Sequence, residues 1–234
     1  MAVKKIIAIA SAKGGVGKSS VCSHIAFHMA KDHKVGILDA DIYGPNQHLI
    51  FNLENHKPSI KDKDGSKLFE PCISNNIKIN GMGFILDSEK AAIWRGPMLS
   101  GAIKQLMDVT IWGSLDYLFI DMPPGTGDAY LTVSSELKPD AAILITTNST
   151  LSISDTLKSK ITFDKLKIPI PGFIVNMERE IKNSEYLLDP QYMSQLLNLN
   201  YIDSIPDTDI IRYFQFQKSK KLLENINKFI KNEI

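Results

Sequence analysis

Cysteine is nearly absent from this chain. Two residues in 234, Cys22 and Cys72, cannot build a disulfide framework, which excludes a small cross-linked secreted scaffold. Long apolar runs are missing too, since no stretch approaches the ~20 residues that cross a bilayer. The first apolar strand begins within a few residues of Met1, leaving no room for a secretory leader, so a cytoplasmic location is expected. Charge of one sign is also lacking. Lys and Arg number 27 against 26 Asp and Glu, and a formal +1 gives no field that argues for nucleic acid or an anionic membrane. What remains is an ordinary soluble composition, 44% apolar and 23% charged, at a length that suits one α/β domain over residues 1–234.

One stretch organises the rest: Lys13-Gly14-Gly15-Val16-Gly17-Lys18-Ser19-Ser20. Before it, residues 4–10 form an apolar run that reads as a buried strand. After it, Val21, Ile25, Ala26, Met29 and Ala30 recur at helical spacing. Strand, glycine-rich turn and helix are the context of a phosphate-binding loop. Glycines let successive N–H groups converge on an anion, and the helix N-terminus adds its partial positive charge. Lys18 is placed to reach terminal phosphates, and the Ser19 hydroxyl to ligate magnesium. A ligand-free glycine turn would not require this concentration of lysine and serine. The general pattern wants glycine where Ala12 stands, and here Lys13 follows it.

Two further acidic strand ends accompany the loop. Residues 34–38 run into Asp39-Ala40-Asp41-Ile42-Tyr43-Gly44-Pro45-Asn46, and residues 116–120 run into Asp121 and the turn Pro123-Pro124-Gly125-Thr126-Gly127. A carboxylate at such a strand end can order magnesium and its waters, or a hydrolytic water; a polar turn with a helix cap is the plainer reading of Asp39 and Asp41. Residues 52–75 read as an exposed excursion containing a hairpin, with Cys72 in its loop, and residues 77–86 as a strand. Helices are expected over 97–112, 152–166, 191–197, 209–216 and 218–234, and strands over 141–146, 172–175 and 201–205. That alternation predicts a doubly wound, mainly parallel sheet with helices on both faces and the ligand at the carboxyl ends of the strands. The last segment is basic and amphipathic: Leu222, Leu223, Ile226, Phe229 and Ile230 share a face that packs on the domain or lies on a membrane.

The loop with its extra Lys13 resembles the deviant phosphate loop of the MinD/ParA/Mrp ATPases. The blocks at 39–46, 93–98 and 116–128, with Asn176-Met177 and Ile205-Pro206-Asp207, are similar to the Mrp/ApbC branch, the iron–sulfur cluster carriers. The resemblance implies a slowly hydrolysing ATPase, a homodimer with ATP between subunits, and iron–sulfur client or scaffold proteins. It implies roles for Lys13 across the dimer, Lys18 and Asp41 in catalysis, and Gly14, Gly15, Val16, Gly17, Lys18, Ser19 and Ser20 on the phosphates. Asn176 and Pro206 are implied at adenine, and Ser19, Asp39 and Asp121 around Mg2+, partly through water. The branch also carries a [4Fe–4S] cluster on a Cys-x-x-Cys after the Asn-Met pair. Here that stretch reads Glu178 to Ser184 without cysteine, so the cluster does not follow from these residues. The alternative is a MinD/ParA-like positioning switch acting on a membrane or a protein partner.

Overall fold

A computed structural model describes residues 2–63, 65–84, 97–179 and 186–234. The expected block at 93–96, the end of the strand expected over 77–86, and residues 180–184 lie outside them. Eight strands form the main sheet: β1 (Ala2–Ala10), β2 (Val35–Asp39), β5 (Cys72–Ser74), β6 (Ile77–Gly81), β7 (Ser114–Asp121), β8 (Ala141–Thr146), β9 (Gly172–Glu178) and β10 (Tyr201–Pro206). Their order is β10-β9-β8-β1-β7-β2-β6-β5, parallel throughout except for β5. The intervening β3 (Ser59–Lys63) and β4 (Ser66–Glu70) make a separate antiparallel hairpin, the excursion expected from the sequence. Cys72 is not in its loop. It sits in edge strand β5, because residues 72–74 return to pair with β6.

Alternation along the strands divides the core into two layers. Ile7 and Ile9 of β1 point to one face and Ala8 and Ala10 to the other; Ile37 and Leu38 of β2 divide in the same way. The first face is covered by α1 (Lys18–Met29), α2 (Gln47–Ile50), α7 (Asp209–Arg212) and α8 (Glu224–Glu233). The second carries α3 (Pro97–Val109), α4 (Asp128–Leu137), α5 (Thr150–Lys165) and α6 (Pro190–Leu197). A parallel sheet needs both faces covered, and the near-continuous apolar runs of β2 and β8 reflect that.

Two helical expectations change. The helix expected over 209–216 stops at Arg212, because Phe214 takes φ 52° and folds its ring, with that of Phe216, back onto α1. The terminal segment is two short 3-10 turns, Phe216–Ser219 and Lys221–Leu223, before α8. Its Leu223, Ile226 and Ile230 are fully buried, so the apolar stripe packs on the domain. With that cover in place α1 is buried on nearly all sides, His24 and His28 included. Among the described residues no helix is long and apolar enough to cross a membrane.

Candidate functional site

Register assembles the site. In the parallel pairs Ile9 lies beside Asp121 and Asp39 beside Asp121, so both carboxylates end their strands next to the loop that follows β1. The loop turns through Gly15 at φ 79° and Gly17 at φ 80° before entering α1. At Gly17 an added Cβ would stand 2.3 Å from Asn176 Nδ2, so only glycine fits. The loop lines a cavity of about 480 Å³ through Lys13, Gly14, Gly15, Val16, Gly17, Lys18, Ser19 and Ser20, with Asp41 opposite. Pro124, of the turn after β7, closes another side.

The charges beneath this cavity are paired. Lys18 is 6% exposed and its ammonium donates to Asp121 Oδ1, itself fully buried. Burial works to lower the Lys18 pKa, but Asp121, Asp39 and Asp41 outweigh it and hold the ammonium above its ordinary value. Asp39 Oδ2 accepts from the N–H groups of Asn46 and Gln47, both at 2.9 Å, and Oδ1 accepts from Asp41 N at 3.1 Å. Burial, and then the nearby Asp121 charge, push the Asp39 carboxyl up to about 7. Asp41 Oδ1 accepts from the N–H groups of Tyr43 and Gly44, and burial raises this carboxyl too.

The expected residues therefore separate. Lys13 through Ser20 and Asp41 face the cavity; Asp39 and Asp121 stand below it, and Asp39 spends both oxygens ordering the 40–47 loop. Lys13 is exposed. Asn176 is 1% exposed and donates to Val16 O at 2.8 Å, so its amide braces the loop. Pro206 is exposed at the end of β10, where the adjacent Asp207 pairs with Arg179 and Arg212. Sequence reasoning missed Ser11, Asn46, Leu49, Ile50 and Phe214, which also line the cavity, and Gln47 beneath it. Asn46 and Gln47 end and follow the legible 39–46 block; Phe214 gives no sequence signal.

Among the described residues no three acidic, histidine or cysteine side chains converge as a ready metal cage. Magnesium does not need one. It keeps waters and takes phosphate oxygens, so one hydroxyl and one or two carboxylates suffice, and the hard oxygens of Ser19, Asp39 and Asp121 fit it, the carboxylates keeping lone pairs beyond the hydrogen bonds they accept here. The glycine loop, the buried ammonium and the helix N-terminus fit a polyphosphate.

Comparison with known proteins agrees with this geometry. A family profile described as "ParA: NUBPL iron-transfer P-loop NTPase" matches residues 2–202. An iron-sulfur cluster carrier protein of Pseudomonas fragi is 44% identical over 177 residues, 75% of this chain and 61% of its own length. That of Synechocystis is 42% identical over 176 residues and is covered over 50% of its length, so the chain spans about half to three fifths of such relatives. Among solved structures, a nucleotide-binding protein of Archaeoglobus fulgidus in complex with ADP superposes with a TM-score of 0.75 at 31% identity. That match covers 97% of this chain and 89% of the other.

Proposed function

Because the chain belongs to the ParA family of NUBPL-type iron-transfer P-loop NTPases, we propose that it is a dimeric, slowly hydrolysing ATPase serving iron–sulfur cluster assembly or transfer. The observation that carries the nucleotide half is the glycine loop closed over a buried Lys18. Gly14 to Ser20 bind the phosphates with their N–H groups, and Lys18 exchanges Asp121 for the β- and γ-phosphate oxygens. Ser19, Asp39 and Asp121 would hold Mg2+ with the nucleotide, the acids partly through water, and the ion would supply positive charge beside the phosphates. Asp41, the acid that lines the cavity wall among the described residues, orients the attacking water. The exposed Lys13 reaches the partner subunit's phosphates, and Asn176 and Pro206 border the adenine, Asn176 trading Val16 O for the base.

The cluster half is supported by the family alone, since the two cysteines of this sequence, Cys22 and Cys72, form no Cys-x-x-Cys. On this reading the chain is the nucleotide switch, and the thiolates belong to its clients or scaffold. The cytoplasm, where thiols stay reduced, is the compartment this chemistry suits. The competing reading, a positioning switch on a membrane, is opposed by burial of Leu223, Ile226 and Ile230 against the domain. The test is ATP turnover with sedimentation velocity in ADP and in ATP. Mg2+-dependent turnover and an ATP-dependent dimer are expected; a chain that binds neither nucleotide refutes the proposal. Sedimentation with anionic vesicles only in ATP would favour the membrane switch instead.

A further inference from the structure

Gln47 opens a four-residue helix, is fully buried, and lies outside every motif discussed above. All of its side-chain hydrogen-bonding groups converge on the phosphate loop and the acids. Its Nε2 donates to Asp121 Oδ2 at 2.8 Å and to Ser19 O at 3.1 Å. Its Oε1 accepts from Ser23 Oγ at 2.8 Å, a hydroxyl whose one proton is shared with Ser19 O at 2.6 Å. Its backbone N–H donates to Asp39 Oδ2 at 2.9 Å. The orientation of the amide follows from its neighbours: two acceptors face one end, and only the NH2 group can meet both.

We propose that Gln47 is a positioning residue, whose carboxamide fixes the Asp121 carboxylate against the Ser19 turn and thereby sets the affinity for the cation that accompanies the nucleotide. This rests on the reading of the site as one for a magnesium nucleotide. Asp121 has two described side-chain donors, Lys18 on Oδ1 and Gln47 on Oδ2. When Lys18 turns to the phosphates, Oδ1 is freed, and Gln47 alone of the two still holds the group. A neutral donor suits that task. It fixes the carboxylate without cancelling the charge that attracts a cation, which a lysine or arginine there would do. Gln47 also joins three separate segments, the ends of β2 and β7 and the first turn of α1, so the 40–46 loop cannot shift without pulling on the acid.

The test measures binding rather than turnover: affinity for ATP in excess chelator, then the Mg2+ concentration that half-saturates the gain in affinity. Gln47→Met keeps the length and volume and removes every side-chain hydrogen bond. It should leave chelator-state affinity within about twofold and raise the Mg2+ half-saturation about tenfold or more. Ser23→Ala removes the Oε1 partner and the hydroxyl's own bond to Ser19 O while leaving the Gln47 amide on Asp121, and should give a smaller rise that is less than additive with Gln47→Met in the double variant. A folded Gln47→Met protein with the parent's Mg2+ dependence overturns the proposal and leaves the nucleotide reading standing. If Gln47→Met loses its cooperative melt, Ser23→Ala decides: an unchanged Mg2+ dependence overturns the proposal. An unaltered chain that binds no nucleotide at all removes both.

Discussion

Lys13 and Lys18 belong to one loop but occupy opposite environments, and their substitution should separate their roles. Lys18 is buried on Asp121, whereas Lys13 is exposed. Lys18→Ala should abolish ATP binding, and it also strands a buried carboxylate, costing about 3–5 kcal/mol of stability. Lys13→Ala should bind ATP normally yet lose turnover and the ATP-dependent dimer; equal losses of affinity in both variants would contradict this division. The acids divide similarly. Asp41→Ala should hydrolyse about 10²-fold more slowly while retaining magnesium nucleotide, the usual scale for losing a positioned acid–base group. Asp121→Ala should shift the Mg2+ dependence itself, which a metal titration reads. At this scale, legibility followed the chain's local order. Loop glycines, Lys18 and the strand-end acids are contiguous with their structural context, so they could be read directly. Gln47 and Phe214 acquire their positions only when distant segments close, and no spacing announces that.

The environment of α1 is set by a distant element: the segment from Phe214 to Ile230 covers the helix face turned away from the sheet, with Phe216 stacked on Phe27 at 4.8 Å and on Phe51 at 5.3 Å. His24 Nδ1 and His28 Nε2 both meet the Ser219 hydroxyl, at 2.7 and 2.9 Å. Burial lowers both imidazoles from the ordinary 6.5 to about 4; the Lys31 charge adds to this at His28. The sign follows from linkage. Between about 6.5 and about 4 the unfolded chain binds more protons than the native one, so stability falls as pH drops through that window. Asp39 acts oppositely: its native carboxyl, near 7, takes up a proton first and adds stability as pH falls from there toward 3.8. The prediction is therefore a comparison of slopes. His24→Asn with His28→Gln, which keeps a nitrogen donor toward Ser219, should lose less melting temperature between pH 7 and pH 4.5 than the parent. Parallel curves would mean that the histidines do not control acid stability. Trimming the cover itself, by Ile226→Ala or Ile230→Ala, should cost about 2–5 kcal/mol in denaturant unfolding, since both side chains are fully buried.

At the scale of the whole molecule the sheet was legible, because its buried parallel strands read as apolar runs, with β2 and β7 ending in Asp39 and Asp121. Edge strand β5 was not, since three residues, Ile73 exposed between two half-buried neighbours, are too few to carry a period. That correction bears on the cluster, because it fixes the position of one of the two thiols. Cys22 is fully buried in α1, where burial and then the Asp121 charge raise its pKa and keep it a thiol. Cys72, half-buried on β5, is likewise raised by burial. A [4Fe–4S] cluster needs four thiolates, and a dimer of this chain offers at most its two copies of Cys72 without unfolding α1. The carboxylates and amides that follow Met177 in the sequence are hard donors, poorly matched to iron–sulfide chemistry. Anaerobic reconstitution with iron and sulfide should therefore leave the isolated chain with far fewer than four irons per dimer after desalting, with or without ATP. About four irons per dimer, lost on Cys72→Ser, would show instead that the edge strand is the cluster site and that the chain is a complete carrier.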